Sequence, residues 1–100
     1  MLKYRIEYSP VTEEHFHSLT AREQTIVLDT VEKQLQYQPT VETKNKKPMR
    51  PNPIAPWELR IGNLRVYYDI DVKPESVVYI RAIGIKDRNN VRIGKEVIKL

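Results

Sequence analysis

Between residues 57 and 71 apolar and polar side chains alternate, break at Gly62-Asn63 and resume, which is the pattern of two strands joined by a two-residue turn. A glycine at the first turn position suits a type II′ hairpin. Counting outward from the turn sets Ile61 against Leu64, Arg60 against Arg65, Leu59 against Val66 and Glu58 against Tyr67. Trp57, Leu59, Ile61, Leu64, Val66, Tyr68 and Ile70 then share one face, which must be buried, while Glu58, Arg60, Arg65 and Tyr67 share the other. Two guanidinium groups directly opposite each other destabilise a sheet. The spacing therefore predicts a basic face turned toward a polyanion or an acidic partner, and a core face carrying Trp57.

The same periodicities divide the rest of the chain. Residues 2–8 alternate, with Leu2, Tyr4, Ile6 and Tyr8 on one side, and read as a first strand. Ser9-Pro10 opens a short helix ending near Leu19, with Ser9 as N-cap, Pro10 at the first helical position and Glu13 and Glu14 in the first turn. Thr20 and Glu23 have the spacing of a capping box and start a longer helix. Its core stripe is Val27, Leu28, Val31 and Leu35, and Pro39 bounds it. Residues 77–85 supply another strand, with Val78, Ile80 and Ala82 toward the core and Tyr79, Arg81 and Ile83 beside Arg65 and Tyr67. That parity needs a loop of three or five residues around residues 73–76. The tail has a turn at residues 87–90 followed by a segment, residues 91–100, whose pattern does not choose between helix and strand.

One hundred residues of this kind make a single domain, 1–100, of α+β class: an antiparallel sheet of about four strands with an N-terminal αα-hairpin packed on one face. No apolar run has the length of a membrane span, and charges stand where a signal peptide needs its apolar region, so a cytoplasmic protein is expected. The absence of cysteine excludes a thiol nucleophile, a disulfide framework and a thiolate metal site. No metal or nucleotide fingerprint is present, and neither a metal nor a small-molecule cofactor is expected.

Charge sharpens the picture. Residues 1–43 hold four Lys and Arg against seven Asp and Glu, whereas residues 44–100 hold thirteen against six. A basic C-terminal half points to nucleic acid or an acidic protein as the partner. Residues 39–56 hold five prolines and the cations Lys44, Lys46, Lys47 and Arg50 without a glycine, and read as a stiff, extended connector too long to be a bare link. Placed just before the arginine-bearing hairpin, these cations either meet RNA phosphates or form a solvated loop. Tyr67 and Tyr79 either stack on bases or pack across strands to shield the arginines. Glu58 is either a proton acceptor or an ion-pair partner of Arg60 or Arg81. His15 and His17, two apart on a short helix, are expected at the surface or in helix packing.

The order of strand, helical hairpin, basic loop, tight hairpin and further strand resembles the RelE/ParE superfamily of type II toxin–antitoxin toxins. The likeness covers nearly the whole chain, and its most specific parts are residues 57–71, residues 78–86 with Gly84 ahead of Lys86, and the run NNVRIGKE at 89–96. The resemblance implies an mRNA endoribonuclease acting in the ribosome's decoding site, with a cognate antitoxin protein, the ribosome and mRNA as partners. Residue by residue it assigns Arg60, Arg65 and Lys86 to the scissile phosphate; beside them Arg81 and Arg92 are expected as supporting cations, and Lys44, Lys46, Lys47 and Arg50 as RNA contacts. Glu58 stands where some relatives have a lysine, and Arg92 where a catalytic tyrosine is expected. A ParE-like gyrase inhibitor and a catalytically silent binding module of the same fold are the alternatives.

Overall fold

The alternation at the N-terminus forms β1 (Arg5–Tyr8) in the computed structural model, which describes residues 2–99; Met1 and Leu100, the outermost residues of the predicted domain, lie outside them. The helices α1 (Thr12–His17) and α2 (Ala21–Leu35) follow, and then β2 (Lys46–Pro48), β3 (Trp57–Ile61), β4 (Leu64–Asp71), β5 (Val77–Asp87), β6 (Asn90–Ile93) and β7 (Glu96–Ile98). These strands form one seven-stranded sheet ordered β2-β3-β4-β5-β6-β7, with β1 alongside the first half of β5. The α+β class and the helices packed on the sheet match the sequence reading. The strand count is higher, because the connector contributes β2 and the tail folds into the β6–β7 hairpin. The sheet is also mixed, since β1 runs parallel to β5.

The central hairpin has the register that its sequence dictates, from Ile61 opposite Leu64 to Glu58 opposite Tyr67. Gly62 has a φ of +58° and Asn63 is not among the residues with positive φ, which is the pattern of a type II′ turn. The α2 capping box also forms: Glu23 N–H donates to Thr20 Oγ1 at 3.1 Å and Thr20 N–H to Glu23 Oε1 at 2.8 Å. Val27, Val31 and Leu35 are fully buried against Leu59, Leu64, Val66, Tyr68, Val78, Ile80 and Ile83. Trp57 packs against this core and stacks on Tyr68.

Several expectations are corrected. Ser9 does not cap α1; its backbone carbonyl accepts from Thr12 N–H and Thr12 Oγ1, so a tight turn delays the helix to Thr12. Leu28 belongs to no core stripe and is 46% exposed, because a helix lying on a sheet buries a narrower arc than the sequence stripe spans. Ala82 and Ile83 exchange faces. The loop between β4 and β5 has the odd length of five, but Tyr67 pairs with Ala82 while Tyr68 pairs with Ile80, leaving Arg81 as the extra residue of a β-bulge. One inserted residue reverses every side chain beyond it. Ile83 therefore joins the helix-covered core and Ala82 the opposite face.

That opposite face is partly roofed. Ala55, Tyr67, Ala82, Val91 and Ile93 form a second small core, with Met49, Ile54 and Ile98 packed on it. The proline-rich connector thus folds back over the sheet instead of extending away from it. Asn52 holds it: its Oδ1 accepts from Ile54 N–H and Ala55 N–H at 2.8 and 3.1 Å, and its Nδ2 donates to the Arg50 and Ala55 carbonyls.

Candidate functional site

The β3–β4 hairpin sets Glu58, Arg60, Arg65 and Tyr67 on one face, and the structure shows why the facing arginines are tolerated. Arg60 Nε donates to Glu58 Oε1 at 2.7 Å, and Arg65 Nε lies 4.0 Å from Glu58 Oε2. One carboxylate thus sits between two guanidinium groups and offsets their repulsion. The arginines nevertheless differ. The Arg60 side chain is 47% exposed. Arg65 is buried, and its Nη1 donates to the Gly62 and Leu64 carbonyls at 2.7 and 2.9 Å, stapling the turn. Tyr67, opposite Glu58, is fully buried and its hydroxyl has no hydrogen-bond partner among the described residues. Burial, reinforced by the Glu58 charge, holds that phenol in its neutral form well above the ordinary tyrosine range. Tyr67 is therefore not an exposed stacking platform.

Beyond the bulge, the second half of β5 brings Lys86 onto this same face, in register with Val91. Gly84 permits the approach: a Cβ there would lie 2.7 Å from Val91 Cγ1 and 2.8 Å from the Arg92 carbonyl oxygen. Between the folded connector, β3, β5 and the end of the tail lies a cleft of about 910 Å³. Lys47, Arg50, Arg60, Lys86 and Lys99 reach it, with Glu58 as its carboxylate. Lys47 also pairs with the exposed Glu42 at 3.2 Å. Lys99 and the connector's Asn52 were not candidates from the sequence. Lys99 follows a segment whose pattern was ambiguous, and Asn52 is recognisable only as a turn former between two prolines.

The remaining predicted cations lie elsewhere. Lys46 is buried with its Nζ donating to the Gln34 and Gln38 carbonyls, at 3.4 and 3.1 Å, so it closes the C-terminal end of α2 and does not face the cleft. Burial lowers its pKa. Lys44 is exposed just before β2, outside the cleft lining. Arg81, displaced by the bulge, pairs with Asp69 at 3.6 Å and covers the Tyr79 ring at 5.3 Å. Arg92 alternates with the buried Val91 and Ile93, so it points to the other face, where it donates to the Gly94 carbonyl at 3.4 Å. His15 is buried between α1 and β5, with Nδ1 accepting from Ile83 N–H at 3.2 Å.

No protein-family model and no curated protein sequence matches the chain. Its structure matches a chain of the toxin–antitoxin complex RelBE2 from Mycobacterium tuberculosis with a TM-score of 0.70 at 21% sequence identity, covering 84% of this chain and 99% of that one. The chain has a RelE-like fold. Within that RelE-like frame the basic cleft lies on the sheet face away from α2, bounded by the central hairpin and roofed at one side by the connector. Among the described residues no helix is long and apolar enough to cross a membrane.

Proposed function

We propose that this chain is the toxin of a type II toxin–antitoxin pair, acting in the cytoplasm, and that it inhibits translation by cutting mRNA on the ribosome. The observation carrying this reading is the convergence of Lys47, Arg50, Arg60, Lys86 and Lys99, drawn from separate parts of the chain, on one cleft of a RelE-like fold. Such a groove attracts a phosphodiester backbone. Cleavage by a ribose 2′-hydroxyl needs a proton acceptor, cations at the phosphorane and a donor for the leaving 5′-oxygen. Arg60 and Lys86 supply the charge at the reacting phosphate, while Lys47, Arg50 and Lys99 hold the flanking backbone. Glu58 and Lys86 are the cleft's proton-transfer groups. Arg65 acts from behind, by fixing the turn that presents Arg60. The antitoxin is a partner whose acidic segment covers this basic face.

Primer extension on a message translated in a cell-free extract tests the reading. The wild-type chain should produce cuts at defined codon positions, and Arg60→Ala and Lys86→Ala should each lower cutting by about a hundredfold with an unchanged far-UV spectrum. An intact message would overturn it. Inhibition of gyrase supercoiling by the same preparation would favour the ParE-like alternative. A second reading, binding that blocks a target without cutting it, is supported by one observation: Glu58, the carboxylate of the cleft, is already engaged by Arg60.

A further inference from the structure

Arg60 is the half-exposed cation on the cleft wall, yet its Nε–H is already donated to Glu58 at 2.7 Å. Across the ladder from Glu58 lies Tyr67, wholly buried, with a hydroxyl close enough to the carboxylate for Glu58 to raise its pKa but with no hydrogen bond of full geometry. A buried hydroxyl without a partner is rare in native proteins and calls for an explanation. The second carboxylate oxygen is 4.0 Å from Arg65 Nε, and Arg65 Nη1 is committed to the turn carbonyls. Glu58 therefore has one strong donor in use and, in the Tyr67 O–H, a second close by that makes no full hydrogen bond. A second arrangement would satisfy every group. If Arg60 turns outward to an external anion, Glu58 loses that donor and can gain the Tyr67 O–H.

Resting on the reading of the cleft as an RNA site, we propose that Glu58 and Tyr67 are positioning residues for it: Glu58 stands in for the phosphodiester on Arg60, and Tyr67 takes over the Glu58 carboxylate when an RNA phosphate claims the guanidinium. An incoming phosphate competes with an acceptor that is tethered to the same strand two residues away, so weak anions do not displace it. A phosphodiester can, because it offers Arg60 two oxygens and gains from the neighbouring cations. The exchange is made easier by the charge-assisted bond formed between Tyr67 and Glu58. The pair thus limits indiscriminate binding of anions by a basic cleft, and tight binding is reserved for a strand that also reaches Lys47, Arg50, Lys86 and Lys99.

Fluorescence anisotropy with a labelled single-stranded RNA oligomer measures this without reference to cleavage. Glu58→Gln, which frees Arg60, should tighten binding about tenfold. Tyr67→Phe, which removes the compensating donor, should weaken it about threefold. Both effects should vanish in an Arg60→Ala background, whereas a general relief of negative charge would persist there. A Glu58→Gln gain that survives intact without Arg60, or no shift from either variant, would overturn the exchange. Should Glu58→Gln fail to fold, the Arg60 Nε–H resonance of the wild-type chain serves instead: it should move on RNA addition, and an unmoved resonance would overturn the proposal. If Arg60→Ala binds RNA as well as the wild type, or the wild type binds none, the RNA reading of the cleft falls and this inference with it. If Arg60→Ala weakens binding while Glu58→Gln changes nothing, only this inference falls.

Discussion

Arg60 and Arg65 face each other across one turn, yet one is half exposed on a cleft wall and the other is buried against the turn's own carbonyls. Their shared face was legible from period-two alternation. Their different employment was not, because it depends on where the guanidinium finds acceptors after the chain has folded. Lys46 and Lys47 make the same point within two residues: in β2 they project to opposite sides, one into the end of α2 and one into the cleft. His15 yields a test at this scale. Its Nδ1 accepts Ile83 N–H, so the ring is neutral, and burial lowers its pKa, opposed in part by Glu14 and Glu96. In the unfolded chain a histidine takes up its proton near about pH 6.5. Because the folded value is the lower one, the contribution of His15 is fully present above that pH and is lost as pH falls through the folded value. Urea midpoints between pH 7.5 and 5.5 should fall more steeply for the wild type than for His15→Gln. Parallel curves would show that the buried imidazole is not linked to stability.

Among the elements, α2 and the β3–β4 hairpin were the most legible, since a capping box and a two-residue turn each specify their structure within a few residues. The bulge in β5 escaped, and with it the faces of Ala82 and Ile83 and the placement of Arg81. A bulge is a choice between nearly equivalent pairings, decided by what packs on both faces. Here the gap in β5 between its β1 and β6 partners is occupied by His15, which accepts the Ile83 N–H. Gly84 tests how closely the next element must approach. Gly84→Ala would drive a methyl into the Arg92 carbonyl oxygen and the Val91 and Ile93 side chains, so β6 must shift. A loss of about 1–3 kcal/mol in urea unfolding is expected. The RNA binding proposed for the cleft should weaken as well, because the β5–β6 pairing carries Lys86. Wild-type stability in this variant would mean that the strands separate without cost.

At the scale of the molecule, the acidic N-terminal segment and the basic remainder are folded so that five cations meet at one cleft while the helices cover the other side of the sheet. This arrangement suits a partner that neutralises the basic face. If the acidic partner proposed for this chain binds only its folded form, thermal unfolding should move upward with partner concentration, by about 4 kcal/mol of stabilisation at a thousandfold excess over Kd. The gain should shrink as salt is raised, as screening requires. A melting temperature insensitive to the acidic partner would place its contact elsewhere or remove it.

The sequence by itself determined the hairpin register, the start of α2, the α+β layering and the basic character of one face. Each follows from side chains within one window and from backbone periods of 2 and 3.6. Tertiary structure alone decided which cations are free. Burial of Arg65 and Lys46, rotation of Arg92 away from the cleft, the bulge that displaces Arg81 and the folding of the connector beneath Asn52 all depend on groups that meet only after collapse. Charge type is local information, whereas the partner that consumes or exposes a charge is set by packing.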